Sequence, residues 1–203
     1  MISLTPKAKD RGFTIIETMI SVSLFLVVVM AGMDSLLNAN VIHQKSQDMR
    51  SVLDTLTFVM EDMSKNVRTG YNVHCINNGD FAVSSINTPK SCSAGGAIAF
   101  EHALGNPLDP NDQWVYKVES VNGGPFVVNK SVDSGTTWTI LTSTDFLVNS
   151  FSGFSVLGAE PAISGDTQQP IVIIRMSGAI LLRGGGQTPF SLQTTASQRL
   201  IDL

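Results

Sequence analysis

Apolar residues are unevenly distributed along this chain, and one long run near the N-terminus dominates the pattern. From Phe13 to Met33 the sequence is almost entirely apolar, and Glu17 is its single ionisable residue. At about 1.5 Å per residue, a helix of this length spans roughly 30 Å, the thickness of the hydrocarbon core of a bilayer. The run therefore predicts a transmembrane helix over residues 13–33.

The helical pattern continues into a more polar segment. Between Pro6 and Pro89 there is no proline that would end the helix. Apolar residues recur there at steps of three and four, at Met49, Leu53, Leu56, Met60, Met63 and Val67. This spacing is typical of an amphipathic helix, and Gly70 is a suitable end. We expect one helix from about Phe13 to Thr69, on the order of 80 Å long, with residues 34–69 as its amphipathic half.

The rest of the chain, residues 70–203, has the pattern of a β-rich head. Residues 71–96 are rich in Asn, Ser and Gly and predict a loop region with one short strand around residues 81–84. Short β-like runs follow, at 97–103, 113–120, 125–132, 137–142, 146–157, 170–182 and 189–200. The turn residues at 122–124 and 184–186 join neighbouring runs. About six antiparallel strands covered by one long helix predict an α+β fold.

Charge gives the membrane segment an orientation. Lys7, Lys9 and Arg11 precede it and place its start on the cytoplasmic side, so the chain after about Asp34 lies outside the cytoplasm. The net charge of −4 and the pI near 5.2 offer no basic surface for nucleic acid. We therefore expect no nucleic-acid partner.

The two cysteines, Cys75 and Cys92, suit a compartment that permits disulfides. Closing a loop of about 17 residues would stabilise the fold by roughly 3 kcal/mol on the chain-entropy model. Two unpaired buried thiols and a metal site are the alternatives, although zinc needs two more ligands and only His74 lies close by. A disulfide is the prediction.

Catalytic and metal-binding patterns are weak in this sequence. The histidines lack the spacing of a zinc motif, no serine lies in a Gly-x-Ser-x-Gly elbow, and no phosphate-binding loop is present. We therefore expect no enzyme activity, no catalytic residue, no cofactor and no metal. Asp109, Asn111 and Asp112 predict a turn, with a calcium site as the alternative.

The N-terminal residues resemble a known signal. The string GFTIIE, with basic residues before the glycine and an apolar run after the glutamate, is similar to the type IV prepilin signal. The resemblance implies removal of the leader 1–12 by a membrane peptidase, which cuts between Gly12 and Phe13 and methylates Phe13. It also implies that Glu17 pairs with the methylated ammonium during filament assembly. The alternative is a glutamate that only reaches toward the membrane interface.

The layout of the whole chain resembles the minor pseudopilins of type II secretion, most of all the J class, and the related minor type IV pilins. The segments VLDTLTFVMEDMSKNVRTG, YKVESVNGGPFVVNKSVDSGTTW and FSLQTTASQR carry this resemblance. It implies a single-pass protein of the bacterial inner membrane with a periplasmic head. The implied partners are other pilins or pseudopilins, the prepilin peptidase and an inner-membrane assembly platform. Priming of pili for adhesion, motility or DNA uptake is one alternative, and a membrane-anchored adhesin that never polymerises is another.

Overall fold

The computed structural model describes residues 12–77, 86, 88–120, 126–142, 146–161, 165, 168–181 and 187–199. The chain divides into two compact units, Met1–Ser46 and Gln47–Leu203. The helix α1, Ile15–Thr69, begins in the first unit and ends in the second. The predicted long helix is thereby confirmed, with a start two residues later than expected.

The described part of the first unit, residues 12–46, is a three-residue lead-in followed by helix. Nearly all of its side chains are exposed, including the apolar ones. This exposure is unusual for a helix of a soluble protein, which normally buries one apolar face. The first unit therefore presents apolar side chains that its own fold does not cover.

The second unit contains nine strands among the described residues, where the sequence predicted about six. They are β1 Tyr71–Ile76, β2 Cys92–Gly95, β3 Ala97–Glu101, β4 Trp114–Ser120, β5 Phe126–Ser131, β6 Thr139–Ile140, β7 Phe146–Leu157, β8 Ile171–Leu181 and β9 Gln187–Ser197. The strand order is β1-β3-β4-β5-β7-β8-β9, with β2 on β7 and β6 on β5, and neighbouring strands are antiparallel. The predicted α+β fold, one long helix packed on antiparallel sheet, is confirmed.

The prediction of a loop region over residues 71–96 was wrong, because β1 and β2 lie within it. The alternation of β1 is interrupted at its start. Asn72 has a φ of 55°, and the register with β3 shifts between Tyr71 and His74. A bulge of this kind removes the period of two on which strand prediction depends. The strand predicted at 81–84 and the turns predicted at 122–124 and 184–186 lie outside the described residues.

The second half of α1 supplies one side of the core. Its buried residues are Val52, Leu56, Val59, Met60, Met63 and Val67, and they pack with strand residues such as Phe100, Tyr116, Phe154 and Ile174. The predicted stripe is thus confirmed from Leu56 onward, whereas Met49 and Leu53 are only partly buried. Burial of each large side chain contributes roughly 1.5–3 kcal/mol. This packing holds the helix to the sheet.

The side chains of β4 contribute to two separate hydrophobic clusters. Tyr116 belongs to the cluster that contains the helix residues, and Trp114 and Val118 pack against that cluster. Val115 points the other way, into a smaller cluster that Trp138 partly covers. Successive side chains on a strand point to opposite faces, so one strand serves both clusters.

A polar contact also fastens the helix to the sheet. The carboxylate of Asp62 on α1 accepts a hydrogen bond from the Tyr116 hydroxyl at 2.6 Å and from Lys130 Nζ at 3.0 Å. Asn66, one turn later, donates to Asp62 at 2.9 Å. Lys130 Nζ also lies 4.4 Å from the centre of the Trp114 ring. The half-buried charge pair is therefore satisfied on both sides.

Candidate functional site

The first residues of α1 have the sequence pattern of a capping box, which the sequence analysis missed, and form one of its two hydrogen bonds. Thr14 is the N-cap, because its carbonyl accepts the N–H of Thr18 at 3.2 Å and the helix proper begins at Ile15. The hydroxyl of Thr14 accepts the N–H of Glu17 at 3.3 Å. A Thr three residues before a Glu is the sequence pattern of this motif, so TIIE could have revealed it.

Glu17 therefore lies at the third helical position, in the first turn of α1. A carboxylate is favourable there because the helix dipole leaves partial positive charge at the N-terminus. Its side chain is exposed, and no described residue forms an ion pair with it. The position of Glu17 thus has a local explanation in the helix start, in addition to the role implied by the prepilin resemblance.

The hydroxyl side chains of the same segment are satisfied within the helix. Thr18 donates to the carbonyl of Ile15 at 2.8 Å, and Ser21 donates to the carbonyl of Glu17 at 2.8 Å. Ser23 donates to the carbonyl of Ile20 at 2.9 Å. Bonds of this type leave no hydroxyl hydrogen that needs water. The segment therefore suits an apolar environment in spite of its serines and threonines.

Apolar side chains cover this part of α1. Phe13 is 80% exposed, and the exposed residues that follow include Ile15, Ile16, Met19, Ile20, Val22, Leu24, Phe25, Leu26, Val27 and Val28. The helix is long and apolar enough to cross a membrane, and its most apolar 18-residue window has no buried share. A contiguous apolar surface of this size marks a contact with lipid or with another protein.

Gly12 and Phe13 lie before the helix, where the chain has no regular secondary structure. A Cβ built on Gly12 meets no atom within 4 Å. The fold of this chain thus sets no steric requirement for glycine at position 12. Any such requirement comes from a protein that acts on the segment.

The predicted pair of Phe13 and Glu17 remains a prediction. In the described chain Phe13 follows Gly12 through a peptide bond, so its nitrogen is an uncharged amide. Only cleavage between Gly12 and Phe13 would turn the Phe13 nitrogen into a positively charged ammonium that attracts the Glu17 carboxylate.

The cysteines and the predicted turn are placed as the sequence suggests. Cys75 on β1 and Cys92 on β2 form a disulfide with a Cα–Cα distance of 5.8 Å. Asp109 Oδ1 accepts the N–H of Asn111 at 3.0 Å, which is the hydrogen bond of an Asx turn. Asp112 accepts the N–H of Asn106 at 2.7 Å.

The three histidines have separate surroundings. His74 Nδ1 lies 2.5 Å from the carbonyl oxygen of Thr88, and the His102 ring stacks on Trp114 at 4.1 Å between ring centres. His43 lies on the exposed part of α1. In the part of the chain that the structure describes, no three side chains of His, Cys, Asp or Glu are grouped as a metal site.

Comparison with known proteins bears on the N-terminal segment. Residues 7–33 match the family described as the prokaryotic N-terminal methylation motif. Neither the comparison with curated proteins nor the comparison with solved structures found a match. The match covers Gly12, Phe13 and Glu17 together with the apolar half of the helix. The chain therefore carries a prepilin-type methylation motif at its N-terminus, which supports a type IV pilin-like subunit.

Proposed function

We propose that this protein is a minor pilin-like subunit that assembles through α1 into the pseudopilus, or its tip complex, of a type II secretion system. The observation that carries the proposal is the methylation motif, which leads directly into a helix whose apolar side chains the first unit leaves exposed. A motif of this kind implies processing by a prepilin peptidase and assembly with other pilins. The secretion system and the J class rest on the resemblance of the whole chain.

The exposed apolar surface explains why assembly is driven by the helix. In the bilayer, lipid covers these side chains, and in a filament the helices of neighbouring subunits replace the lipid. Because lipid is as apolar as the side chains, packing and polar contacts decide between the two states. The proposed mechanism therefore needs a polar contact within the segment, and Glu17 is the only ionisable residue available.

Glu17 would supply that contact after cleavage. A carboxylate in hydrocarbon costs several kcal/mol unless it finds a partner of opposite charge. Removal of residues 1–12 creates an ammonium on Phe13, and methylation of that nitrogen keeps its charge. Attraction between the two groups is strong in a low dielectric and offsets part of their desolvation. A pair formed with the Phe13 of a neighbour would set the register between adjacent helices.

The remaining properties follow from this role. The protein is proposed to be non-enzymatic and without a cofactor, single-pass in the bacterial inner membrane, with its second unit outside the cytoplasm. Its partners are other pseudopilins, the prepilin peptidase that also methylates, and an assembly platform in the membrane. The disulfide between Cys75 and Cys92 is compatible with such a compartment.

The first prediction concerns assembly. Replacement Glu17→Leu should leave cleavage intact but strongly reduce recovery of the subunit in filaments or tip complexes, because the charge pair is lost. The matched control is Ser23→Leu, which adds a leucine at another exposed polar position of the segment and should assemble normally. Recovery of Glu17→Leu at the level of the control would contradict the role of Glu17.

The second prediction concerns processing. Replacement Gly12→Val should abolish cleavage, although the fold has space for the larger side chain. Gly32→Val is the control, since a Cβ at Gly32 also meets no atom within 4 Å. The measurement is the mass of the mature protein. Normal cleavage of Gly12→Val would show that the cut lies elsewhere.

A separate experiment addresses the membrane-anchored adhesin. Single cysteines placed along residues 15–33 should crosslink to cysteines in the helices of co-expressed pilins. Absence of adducts at every position, with normal processing, would favour a permanent anchor over an assembling subunit.

A further inference from the structure

A buried carboxylate lies at the base of the loop that joins β3 to β4. Glu101 is the last residue of β3, and its exposed fraction is 0%. Gly105 approaches Glu101 Oε1 so closely that a Cβ there would collide with it, so the loop folds over the carboxylate. Asp112 lies at the other end of the loop, two residues before β4 begins. The two ends of the loop thus bring two acidic side chains together.

With both carboxylates ionised, three buried oxygens at this place have no hydrogen-bond donor among the described residues. They are Glu101 Oε1, Asp112 Oδ1 and Gln113 Oε1. The amide of Gln113, which is 3% exposed, donates through Nε2 to Glu101 Oε2. Its Oε1 is the other polar atom of the same amide, whose nitrogen contacts the carboxylate. Buried acceptors without a donor are rare in folded proteins, and each costs roughly 1–3 kcal/mol.

The surroundings of these oxygens carry excess negative charge. Glu101 lies within hydrogen-bonding reach of Asp112, and the charges of Asp112 and Asp109 both act on it. The pKa of Tyr71 is raised by burial and also by the charges of Glu101 and Asp112. Among the described residues no lysine or arginine forms an ion pair with either carboxylate.

A cation accounts for this arrangement better than a shared proton does. One proton between the two carboxylates satisfies both carboxylate oxygens but leaves the oxygen of Gln113 without a partner. A cation accepts lone pairs from all three. The donors are hard oxygens from carboxylates and an amide, which is the ligand chemistry of Ca²⁺.

We propose that Glu101, Asp112 and Gln113 form a calcium site at the base of the loop 102–112, with backbone carbonyls and water as further ligands. Only two of these ligands are charged, consistent with the absence of a group of three acidic, His or Cys ligands among the described residues. Calcium affinity is lower when fewer ligands are charged, and extracellular modules bind at roughly 10⁻⁴–10⁻³ M. The site stands independently of the proposed function in assembly.

The experiment measures Ca²⁺ binding to the full chain in detergent micelles after treatment with a chelator. Isothermal titration calorimetry should show one site with a dissociation constant of roughly 10⁻⁴–10⁻³ M. Saturating Ca²⁺ should also raise the unfolding temperature. Mg²⁺ at equal concentration should have a smaller effect, because it demands a tighter octahedral geometry.

Two variants test the ligands. Glu101→Gln and Asp112→Asn should each weaken Ca²⁺ binding at least tenfold and abolish the rise in unfolding temperature. Glu61→Gln removes the same charge from an exposed position on α1 and should bind like the wild type. Without calcium, Glu101→Gln should be at least as stable as the wild type, since it removes a buried charge. The stability measured without calcium therefore distinguishes loss of a calcium-binding side chain from failure to fold.

Either of two outcomes would overturn the proposal. One is the absence of Ca²⁺ binding to the wild type at 10 mM, on the order of ten times the weakest expected dissociation constant. The other is unchanged affinity in both Glu101→Gln and Asp112→Asn. If Glu101 and Asp112 share a proton and bind no cation, the wild type will show no Ca²⁺ binding.

Discussion

Asp62 shows how a single residue can hold the helix to the sheet. Burial raises its pKa, but hydrogen bonds from Tyr116 and Lys130 and the charge of Lys130 lower it by more, so the net shift is downward. The same contact raises the pKa of Tyr116, first through burial and then through its hydrogen bond to Asp62. The carboxylate is therefore more stable as an anion in the folded protein than in the unfolded chain.

This gives a prediction for Lys130→Met. The variant should lose about 1–3 kcal/mol of the free energy of unfolding at pH 7, a range between exposed and fully buried ion pairs. An acid with a lowered folded pKa adds stability above its unfolded pKa, about 3.9, and that stability is lost as the pH falls through the folded value. The difference between wild type and variant should therefore shrink below about pH 4. Urea unfolding at several pH values measures it.

The control for this variant is Lys117→Met. Lys117 Nζ lies 2.7 Å from Glu119, but this pair is more exposed than the pair of Lys130 and Asp62. Loss of the Lys117–Glu119 pair should lower the free energy of unfolding by less than about 1 kcal/mol. Equal losses for the two variants, or a loss for Lys130→Met that does not change with pH, would contradict the role given to Asp62.

At the scale of the element, the start of α1 depends on Thr14. Replacement Thr14→Val removes the acceptor for the N–H of Glu17 and should cost the first turn about 0.5–2 kcal/mol. Amide exchange at Glu17 should become about two- to thirtyfold faster, which corresponds to that loss of free energy. Thr14→Ser keeps the hydroxyl and should exchange like the wild type. Equal exchange in Thr14→Val and Thr14→Ser would show that the cap does not hold the helix start.

Elements with regular apolar spacing were predictable, and elements with irregular spacing were not. The stripe Leu56, Met60 and Met63 repeats at helical steps, and it predicted the buried face of α1 from Leu56 onward. In β1, Asn72 and the register shift break the alternation, although Val73 is fully buried. Local pattern carries no information about such a bulge, because pairing with β3 stabilises it.

The same limit applies to the candidate sites. The methylation motif is contiguous in sequence, so Gly12, Phe13 and Glu17 could be named from the sequence. The group of Glu101 and Asp112 could not, because these residues are eleven positions apart and meet only when β3 pairs with β4. Asp112 was predicted as a turn residue. Glu101 ends an apolar run, and no pattern in the sequence predicts that its side chain is buried.

At the scale of the whole molecule, the disulfide joins two strands that do not follow one another in the sheet order. Cys75 lies on β1, which pairs with β3, and Cys92 lies on β2, which pairs with β7. The bridge therefore connects separate regions of the sheet. Gly95 fits closely beside it, since a Cβ there would collide with Cys75 Sγ.

Removal of the bridge gives a prediction for the second unit. The double replacement Cys75→Ala, Cys92→Ala should lower the free energy of unfolding by roughly 3 kcal/mol, because the unfolded chain gains conformational entropy. A reductant should destabilise the wild type by a similar amount and leave the variant unchanged. Urea unfolding with and without reductant measures both. No effect of reductant on the wild type would contradict a stabilising bridge.

The position of the Thr14 cap has a consequence for the order of events in maturation. The helix begins after Thr14, so the bond between Gly12 and Phe13 lies in non-helical chain. A peptidase that cuts there acts on a bond outside the helix and need not unwind a turn. Because Thr14 and Glu17 both remain after the cut, the same cap holds the helix in precursor and mature protein. Cleavage would thus change the charge at the N-terminus while the helix stays in place.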